Sequence, residues 1–185
     1  MAEKGRIVLV EPIEIIGEPL PELLPIARGA MESMLKLGSR VLEFGSGHST
    51  VWLASRSLEV VSIEHNKLWF DAVNGWLDKR LLRADVRLTD TQVIEDELDF
   101  PDNYFDLLFD DGYWYARVNF LKHNMDKVKP GGWVVFDDTN WQQFRYIPDI
   151  LMGWSRYDVY GTHLRKTGIS KAVVTSFYQK PKGNK

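Results

Sequence analysis

The chain of 185 residues contains no cysteine, so a disulfide framework and a thiolate metal site are both excluded. Long apolar runs are also missing, because no run approaches the roughly 18 to 20 residues that cross a bilayer. The apolar run at residues 7–10 is too short for the core of a signal peptide. We therefore expect a cytoplasmic protein with no membrane partner.

Charge of one sign is not in large excess, since the formal net charge is -3 at neutral pH. A strongly basic surface is what favours tight, sequence-independent binding to nucleic acid. The charge balance therefore predicts that bulk nucleic acid is not a partner.

Three short motifs, two typical of nucleotide-binding proteins and one of serine hydrolases, are missing or incomplete as well. The chain has no GxxxxGK[ST] and no GxSxG, which excludes a P-loop and gives a serine hydrolase little support. In the turn that begins Gly45-Ser46-Gly47, the third glycine of the dinucleotide fingerprint is replaced by Thr50. That replacement weakens the case for a nicotinamide cofactor, and a nicotinamide-dependent oxidoreductase stays an alternative.

What the sequence does contain is a regular alternation of short apolar runs and helical patterns. The predicted strands are 40–45, 59–64, 85–89, 104–110 and 133–137, and the predicted helices are 26–37, 49–57, 66–82 and 117–128. Nearly continuous runs such as VLEF and DLLF are typical of strands covered on both faces. Strands separated by helices predict parallel crossovers and an open α/β sheet.

The end of the chain departs from this alternation. Residues 157–164 and 172–179 indicate two more strands, and the loop between them is too short for a crossover helix, so they should pair antiparallel. The predicted fold is a Rossmann-like open sheet of about seven strands, mostly parallel with a C-terminal antiparallel hairpin, and with helices on both faces.

Carboxylates follow the predicted strands at the edge where an open α/β sheet binds its ligands. They are Glu43, Glu64, Asp90, the pair Asp110 and Asp111, and the pair Asp137 and Asp138. Glycines after the first strand would let a ligand lie directly against main-chain N–H groups. Each acid also has a plainer interpretation, because strand-end acids often cap the next helix or face water.

The segments VLEFGSGHST, VVSIEHN, LTD, YFDLLFDDG and KPGGWVVFDDT resemble class I S-adenosylmethionine-dependent methyltransferases over about residues 38–180. The resemblance implies that the first strand end, with Glu43, Gly45, Ser46 and Gly47, cradles the methionine and ribose of S-adenosylmethionine. It implies that Glu64 accepts hydrogen bonds from both ribose hydroxyls, as one carboxylate can. The remaining cofactor-binding candidates are His65, Asp90, Thr91 and Asp110.

Part of the same region is similar to cation-dependent O-methyltransferases. This similarity implies a Mg²⁺ ion on Asp111, Asp137 and Asp138, whose hard oxygen ligands suit that cation. The segments FDDG and PGGWVVFDDT resemble more closely a set of small methyltransferases in which no metal is established, so a site without metal stays an alternative. Two positions differ: Asp138 stands where those enzymes usually have asparagine, and Trp114 stands where they have a catalytic lysine. We expect Asp111 to be the catalytic residue nearest the reactive methyl group, either as a metal ligand or by orienting the acceptor.

The expected reaction is methyl transfer to oxygen or nitrogen of a small-molecule acceptor, with a noncatalytic S-adenosylmethionine-binding protein as a further alternative. Residues 1–37 would form an extension and helix that shape the acceptor site, 38–180 the cofactor-binding domain and 181–185 a basic tail, within a single domain overall. Aromatic residues near Trp114 and Trp141 would rim the acceptor pocket, seal the helices onto the sheet or form a homodimer interface. Arg117 and Lys122 are expected on the solvated face of their helix.

Overall fold

The structure is a computed structural model that describes residues 17–89, 98–164 and 170–183. Its helices are α1 (Pro25–Met34), α2 (His48–Ala54), α3 (Lys67–Lys79), α4 (Arg117–Asn124) and α5 (Ile147–Ile150), with 3-10 turns at Met125–Lys127 and Gln142–Phe144. Its strands are β1 (Arg40–Phe44), β2 (Glu59–Glu64), β3 (Asp85–Leu88), β4 (Phe105–Asp110), β5 (Val128–Phe136), β6 (Ser155–Leu164) and β7 (Ser170–Gln179). In this part of the chain no helix is long and apolar enough to cross a membrane.

The seven strands form one sheet in the order β3-β2-β1-β4-β5-β7-β6. Strands β1 to β5 pair in parallel, whereas β7 runs antiparallel to both β5 and β6. The predicted fold, including the C-terminal antiparallel hairpin, is therefore confirmed. The strand order reverses between β1 and β4, which is where an open α/β sheet leaves a crevice for a ligand.

Helices cover both faces of the sheet. Successive residues of a strand point to opposite faces, so one strand can pack against helices on both sides. Val41 belongs to a core cluster with Met31 of α1 and Trp52 of α2. Phe44, three residues along the same strand, stacks on Phe120 of α4 with ring centroids 4.5 Å apart. The near-continuous apolar sequence of β1 is thus explained by burial on both faces.

Several bounds differ from the sequence prediction, and two of the differences have a clear physical reason. The helix predicted at 26–37 begins one residue earlier, at Pro25, because proline is tolerated in the first helical turn, where its missing N–H costs nothing. The strand predicted at 133–137 begins earlier, at Val128, so that Pro130-Gly131-Gly132 lies within β5. There the Gly131 N–H donates to the Lys180 carbonyl at 3.0 Å, so a partner distant in sequence extends the strand.

Candidate active site

A cavity of about 420 Å³ opens at the carboxyl ends of the central strands, within the size range of small-molecule sites. Its walls come from the turn after β1, the end of β2, the loop after β4 and the loop after β5. The lining residues are Glu22, Gly45, Ser46, Gly47, His48, Ser49, Glu64, His65, Trp69, Asp111, Gly112, Tyr113, Trp114, Arg117, Asp138 and Trp141. The fold therefore brings the predicted glycine turn, Glu64 and Asp111 to one place.

The two glycines of the turn after β1 have different physical roles. Gly45 has a φ of +93°, and a Cβ there would lie 2.5 Å from the Cα of Gly112, so both conformation and space require glycine. Gly47 has an extended φ of -176°, and its nearest potential contact is Trp69 at 3.7 Å. The fold itself accepts a side chain at Gly47, and its glycine keeps open a part of the cavity wall.

Glu43 lies beneath this turn and not in the cavity wall. Its fully buried carboxylate accepts hydrogen bonds from Thr50 Oγ1 at 2.5 Å and Ser62 Oγ at 2.6 Å. Thr50 Oγ1 in turn accepts the Gly47 N–H at 2.9 Å, and Ser62 Oγ lies 2.8 Å from Ser46 Oγ. Glu43, predicted to contact the cofactor, is therefore placed where it holds the shape of the turn.

Burial raises the pKa of Glu43 from its ordinary value of 4.5 to about 7, although hydroxyl donors from Ser49, Ser62 and Thr50 act in the opposite direction. Since the folded state then binds more protons than the unfolded state, we expect the free energy of unfolding to fall as pH rises from about 4.5 to 7. The Glu43 contribution is up to about 3 kcal/mol.

Urea denaturation of the wild type and Glu43→Gln at several pH values between 4.5 and 8 measures this effect, because glutamine keeps an acceptor for both hydroxyls and cannot titrate. The variant should show a flatter pH dependence than the wild type. Parallel curves for the two proteins would contradict the buried, titrating Glu43.

Glu64 ends β2 directly against the turn and is only 3% exposed. Its Oε2 accepts the Ser46 N–H at 2.8 Å, and its Oε1 accepts the N–H groups of His65 at 2.8 Å and Asn66 at 2.6 Å. A carboxylate has about four acceptor directions, so these bonds fix its orientation and leave capacity for a ligand. The ring of His65 lies 4.8 Å from that of Tyr113, which links the ends of β2 and β4.

Arg117 was expected on a solvated helix face, and this expectation is wrong: the residue is 3% exposed. Its Nε donates to Asp110 Oδ1 at 2.8 Å, and one Nη donates to the main-chain carbonyls of Asp110 and of Asp137, the latter at 2.8 Å. Lys122, on the same helix, is exposed as expected. Arg117 thus joins the ends of β4 and β5 immediately before Asp111 and Asp138.

Asp110, a predicted cofactor-binding residue, is fully buried and lies behind the cavity wall. Its pKa is raised to about 6, because burial outweighs the opposite influence of the Arg117 guanidinium. Asp90 and Thr91, two further cofactor-binding candidates, lie outside the described residues.

Asp111 is exposed to the cavity, as expected for a residue that contacts an acceptor. Crowding by surrounding protein atoms, followed by the charge of Asp137, raises the pKa of its carboxyl well above the ordinary range. Because water still reaches the side chain in the open cavity, closure around a ligand should strengthen this effect.

The other two predicted Mg²⁺ ligands already have protein partners. Asp137 Oδ1 accepts from Thr175 Oγ1 at 2.6 Å, and Asp138 Oδ2 pairs with Lys171 Nζ at 2.7 Å. Within residues 17–89, 98–164 and 170–183, no group of three or more acidic, histidine or cysteine side chains has an arrangement suited to a metal ion. Asp111, Asp137 and Asp138 therefore do not fit the Mg²⁺ site that the sequence suggested.

Aromatic side chains form much of the remaining wall, and the sequence indicated three of them. Tyr113, Trp114 and Trp141 line the cavity, whereas Phe144 is buried in the core. Sequence reasoning missed Trp69 of α3 and Glu22 of the N-terminal segment, which also reach the cavity. Trp69 lies less than one helical turn after Asn66, the N-cap of α3. Its closeness in sequence to the end of β2 indicates that it can reach the site.

The strand order, the glycine turn at the point of reversal and the acid that ends β2 together define a class I S-adenosylmethionine-dependent methyltransferase fold. The chain belongs to a methyltransferase-domain family, since that family's model matches residues 42–139, more than half of the chain. A search among curated proteins found no significant match.

Solved structures with the same fold include methyltransferases with different acceptors. The O-methyltransferase TomG of Streptomyces achromogenes, involved in tomaymycin synthesis and solved with S-adenosylmethionine, is 18% identical with a TM-score of 0.65, over 84% of this chain and 78% of TomG. A Methanosarcina mazei S-adenosylmethionine-dependent methyltransferase is 13% identical with a TM-score of 0.64, over 87% and 99%. The tRNA (m1A58) methyltransferase TrmI of Aquifex aeolicus is 17% identical with a TM-score of 0.61, over 92% and 72%.

Proposed function

We propose that this protein transfers the methyl group of S-adenosylmethionine to an oxygen or nitrogen atom of a small-molecule acceptor. The observation that carries the proposal is that two groups of residues line one cavity: the glycine turn with Glu64, and Asp111 with an aromatic wall. We call the first group the cofactor end and the second the acceptor end. A cofactor held by the first group would share the cavity with an acceptor held by the second.

The cofactor end suits a neutral ribose better than a phosphate. Glu64 is held in place by three main-chain N–H groups, so about one of its four acceptor directions is open to a ribose hydroxyl, and its negative charge would repel a diphosphate. The bare backbone at Gly47 leaves room for the ligand to approach the turn. His65, beside Glu64 in the wall, would contact the adenosine.

The acceptor end suits a planar molecule with a hydroxyl or amine group. Tyr113, Trp114 and Trp141 offer aromatic faces for stacking, and Glu22 extends this wall from the N-terminal segment. Asp111, with its raised pKa, would accept a hydrogen bond or a proton from the attacking group. S-adenosylmethionine supplies an activated methyl group on a sulfonium, so the residues need mainly to position the acceptor in line.

Methyl-labelled S-adenosylmethionine tests the proposal directly. The purified protein is incubated with panels of phenols and amines and, separately, with tRNA and rRNA, and we expect the label to appear on a small molecule. Asp111→Asn should lose transfer and still bind S-adenosylhomocysteine. Label found on RNA alone would overturn the choice of acceptor, and cofactor binding without any transfer would favour the noncatalytic alternative.

Replacement of Glu64 by glutamine should weaken the binding of S-adenosylhomocysteine by about 1 to 3 kcal/mol, because a charge-assisted acceptor of the ribose hydroxyls is lost. Isothermal titration calorimetry measures the affinity. Glu59→Gln, at the opposite end of β2 and outside the cavity lining, is the matched control and should bind like the wild type. Equal affinity of Glu64→Gln and the wild type would remove Glu64 from the ribose site.

Two further parts of the proposal concern the cell and the assembly. We retain a cytoplasmic location and a homodimer as predictions, the latter because Trp114 and Tyr115 are exposed next to the cavity. Sedimentation equilibrium of the wild type and Tyr115→Ser measures the oligomeric state.

A further inference from the structure

We infer that Lys171 supplies, at the acceptor end of the cavity, the fixed positive charge that a divalent cation supplies in cation-dependent O-methyltransferases, and that this end binds no metal. The description of this region as the acceptor end rests on the proposed function. The position of Lys171 and its effect on metal binding do not depend on it.

Lys171 lies on β7, far along the chain from the other site residues, and contacts two residues of the cavity wall. Its Nζ lies 2.7 Å from Asp138 Oδ2 and 4.4 Å from the centre of the Trp141 ring. Both partners line the cavity. The ammonium group is therefore held between a carboxylate and an aromatic face, and both contacts stabilise a positive charge.

The loop after β5 is fixed on β7 at the residues that follow Lys171. The side chain of Asn140 donates to the Ala172 carbonyl at 3.0 Å, and the N–H of Thr139 donates to the Val174 carbonyl at 2.9 Å. These bonds hold Asp138 and Trp141 in register with Lys171. The positions of Lys171 and Asp138 are consequently fixed by hydrogen bonds between the residues that follow each of them.

This arrangement competes with a metal ion for the same oxygen atoms. Mg²⁺ requires several oxygen ligands in near-octahedral geometry, but Asp138 Oδ2 is taken by Lys171 and Asp137 Oδ1 by Thr175. Asp138 Oδ1 has no hydrogen-bond partner among the described residues, and it is a single oxygen beside the Lys171 ion pair. A divalent cation on Asp138 would also lie within a few ångströms of the ammonium charge, which repels it. Lys171 offsets the charge of Asp138, and Asp111 is the most exposed of the three carboxylates.

Lys171 also compensates for a residue that the sequence lacks. Cation-dependent O-methyltransferases carry a lysine three residues after their first metal-binding aspartate, and here that position is Trp114. Lys171 brings a lysine to the same end of the cavity from another strand. We assign it as a positioning residue that orients Asp138 and Trp141 against the acceptor.

Manganese binding to the full chain, followed by electron paramagnetic resonance, tests the metal part of the inference without any acceptor. We expect no binding of Mn²⁺ by the wild type at millimolar concentration and no effect of a chelator on methyl transfer. Submillimolar Mn²⁺ binding that is lost in Asp138→Asn would overturn the inference.

Variants of Lys171 test the positioning role. Lys171→Met should lower methyl transfer at least tenfold and raise the acceptor KM, while its affinity for S-adenosylhomocysteine stays that of the wild type. Lys171→Arg should recover most of the loss, because arginine can pair with Asp138 and stack on Trp141. Lys122→Met, which removes an exposed lysine from α4, is the control. Unchanged transfer kinetics in Lys171→Met would contradict the role.

Failure of the proposed function has a different signature. If the wild type binds S-adenosylhomocysteine but methylates no acceptor, the proposed function fails and the Mn²⁺ titration still decides whether Lys171 excludes a metal.

Discussion

Replacement of Arg117 by methionine is expected to destabilise the protein by about 3 to 5 kcal/mol, the cost of breaking a buried ion pair by removing one partner. Asp110 is fully buried and would lose the guanidinium at 2.8 Å from its carboxylate. The carbonyls of Asp110 and Asp137 would lose a shared donor as well. Methionine fills a similar volume against Phe136 and Phe144, so the loss should come mainly from the polar groups.

Urea denaturation followed by circular dichroism measures this effect. Lys122→Met, on the exposed side of the same helix, should change the free energy of unfolding by less than about 0.5 kcal/mol. If Arg117→Met fails to fold, Arg117→Lys offers a milder change that keeps the charge and loses the forked donor geometry. An Arg117→Met protein as stable as the wild type would show that this residue does not join β4 to β5.

Replacement of Gly45 by alanine is expected to cost roughly 2 to 6 kcal/mol of stability. Alanine would have to adopt a φ of +93°, which carries about 1 to 3 kcal/mol of strain. Its Cβ would also lie 2.5 Å from the Cα of Gly112 and 2.9 Å from the Asp111 carbonyl oxygen, and such overpacking costs about 1 to 3 kcal/mol. Because the obstacles are backbone atoms, β1 and the loop after β4 would have to separate.

Gly47→Ala is the matched control, two residues along the same turn. Its φ of -176° suits any residue, and its Cβ would meet Trp69 at an ordinary 3.7 Å, so stability should stay near that of the wild type. Thermal unfolding monitored by calorimetry compares the two variants. Equal melting temperatures of Gly45→Ala and Gly47→Ala would contradict the close approach of Gly45 to Gly112.

Much of the fold follows from local patterns that the structure confirms. The helix predicted at 66–82 begins at asparagine, a residue type favoured at helix N-caps, and the Asn66 side chain accepts the Leu68 N–H at 2.9 Å. The strands β1, β2 and β4 begin and end within one residue of their predicted bounds. The extent of β5 could not be predicted in the same way, because its early part is stabilised by pairing with the far end of the chain.

The site was less predictable than the fold, because a residue's place at a strand end does not decide which way its side chain points. Glu64 and Asp111 face the cavity, whereas Glu43 and Asp110 are buried behind it. In the sequence, Arg117 resembles any charged residue of a helix. Its burial depends on its hydrogen bonds to Asp110 and Asp137, which lie at the ends of two neighbouring strands. The position of Lys171 beside Asp138 depends on the register of the β6–β7 hairpin against β5. The amino-acid pattern alone does not determine that register.

The central claim is that the nucleoside of S-adenosylmethionine binds between the glycine turn and Glu64. A crystal structure of the protein with S-adenosylhomocysteine tests it most directly. We predict a ribose hydroxyl within hydrogen-bond distance of Glu64 Oε2, and the sulfur directed toward Asp111. An empty cavity at saturating ligand, or a dinucleotide with its diphosphate against Gly47, would contradict the account.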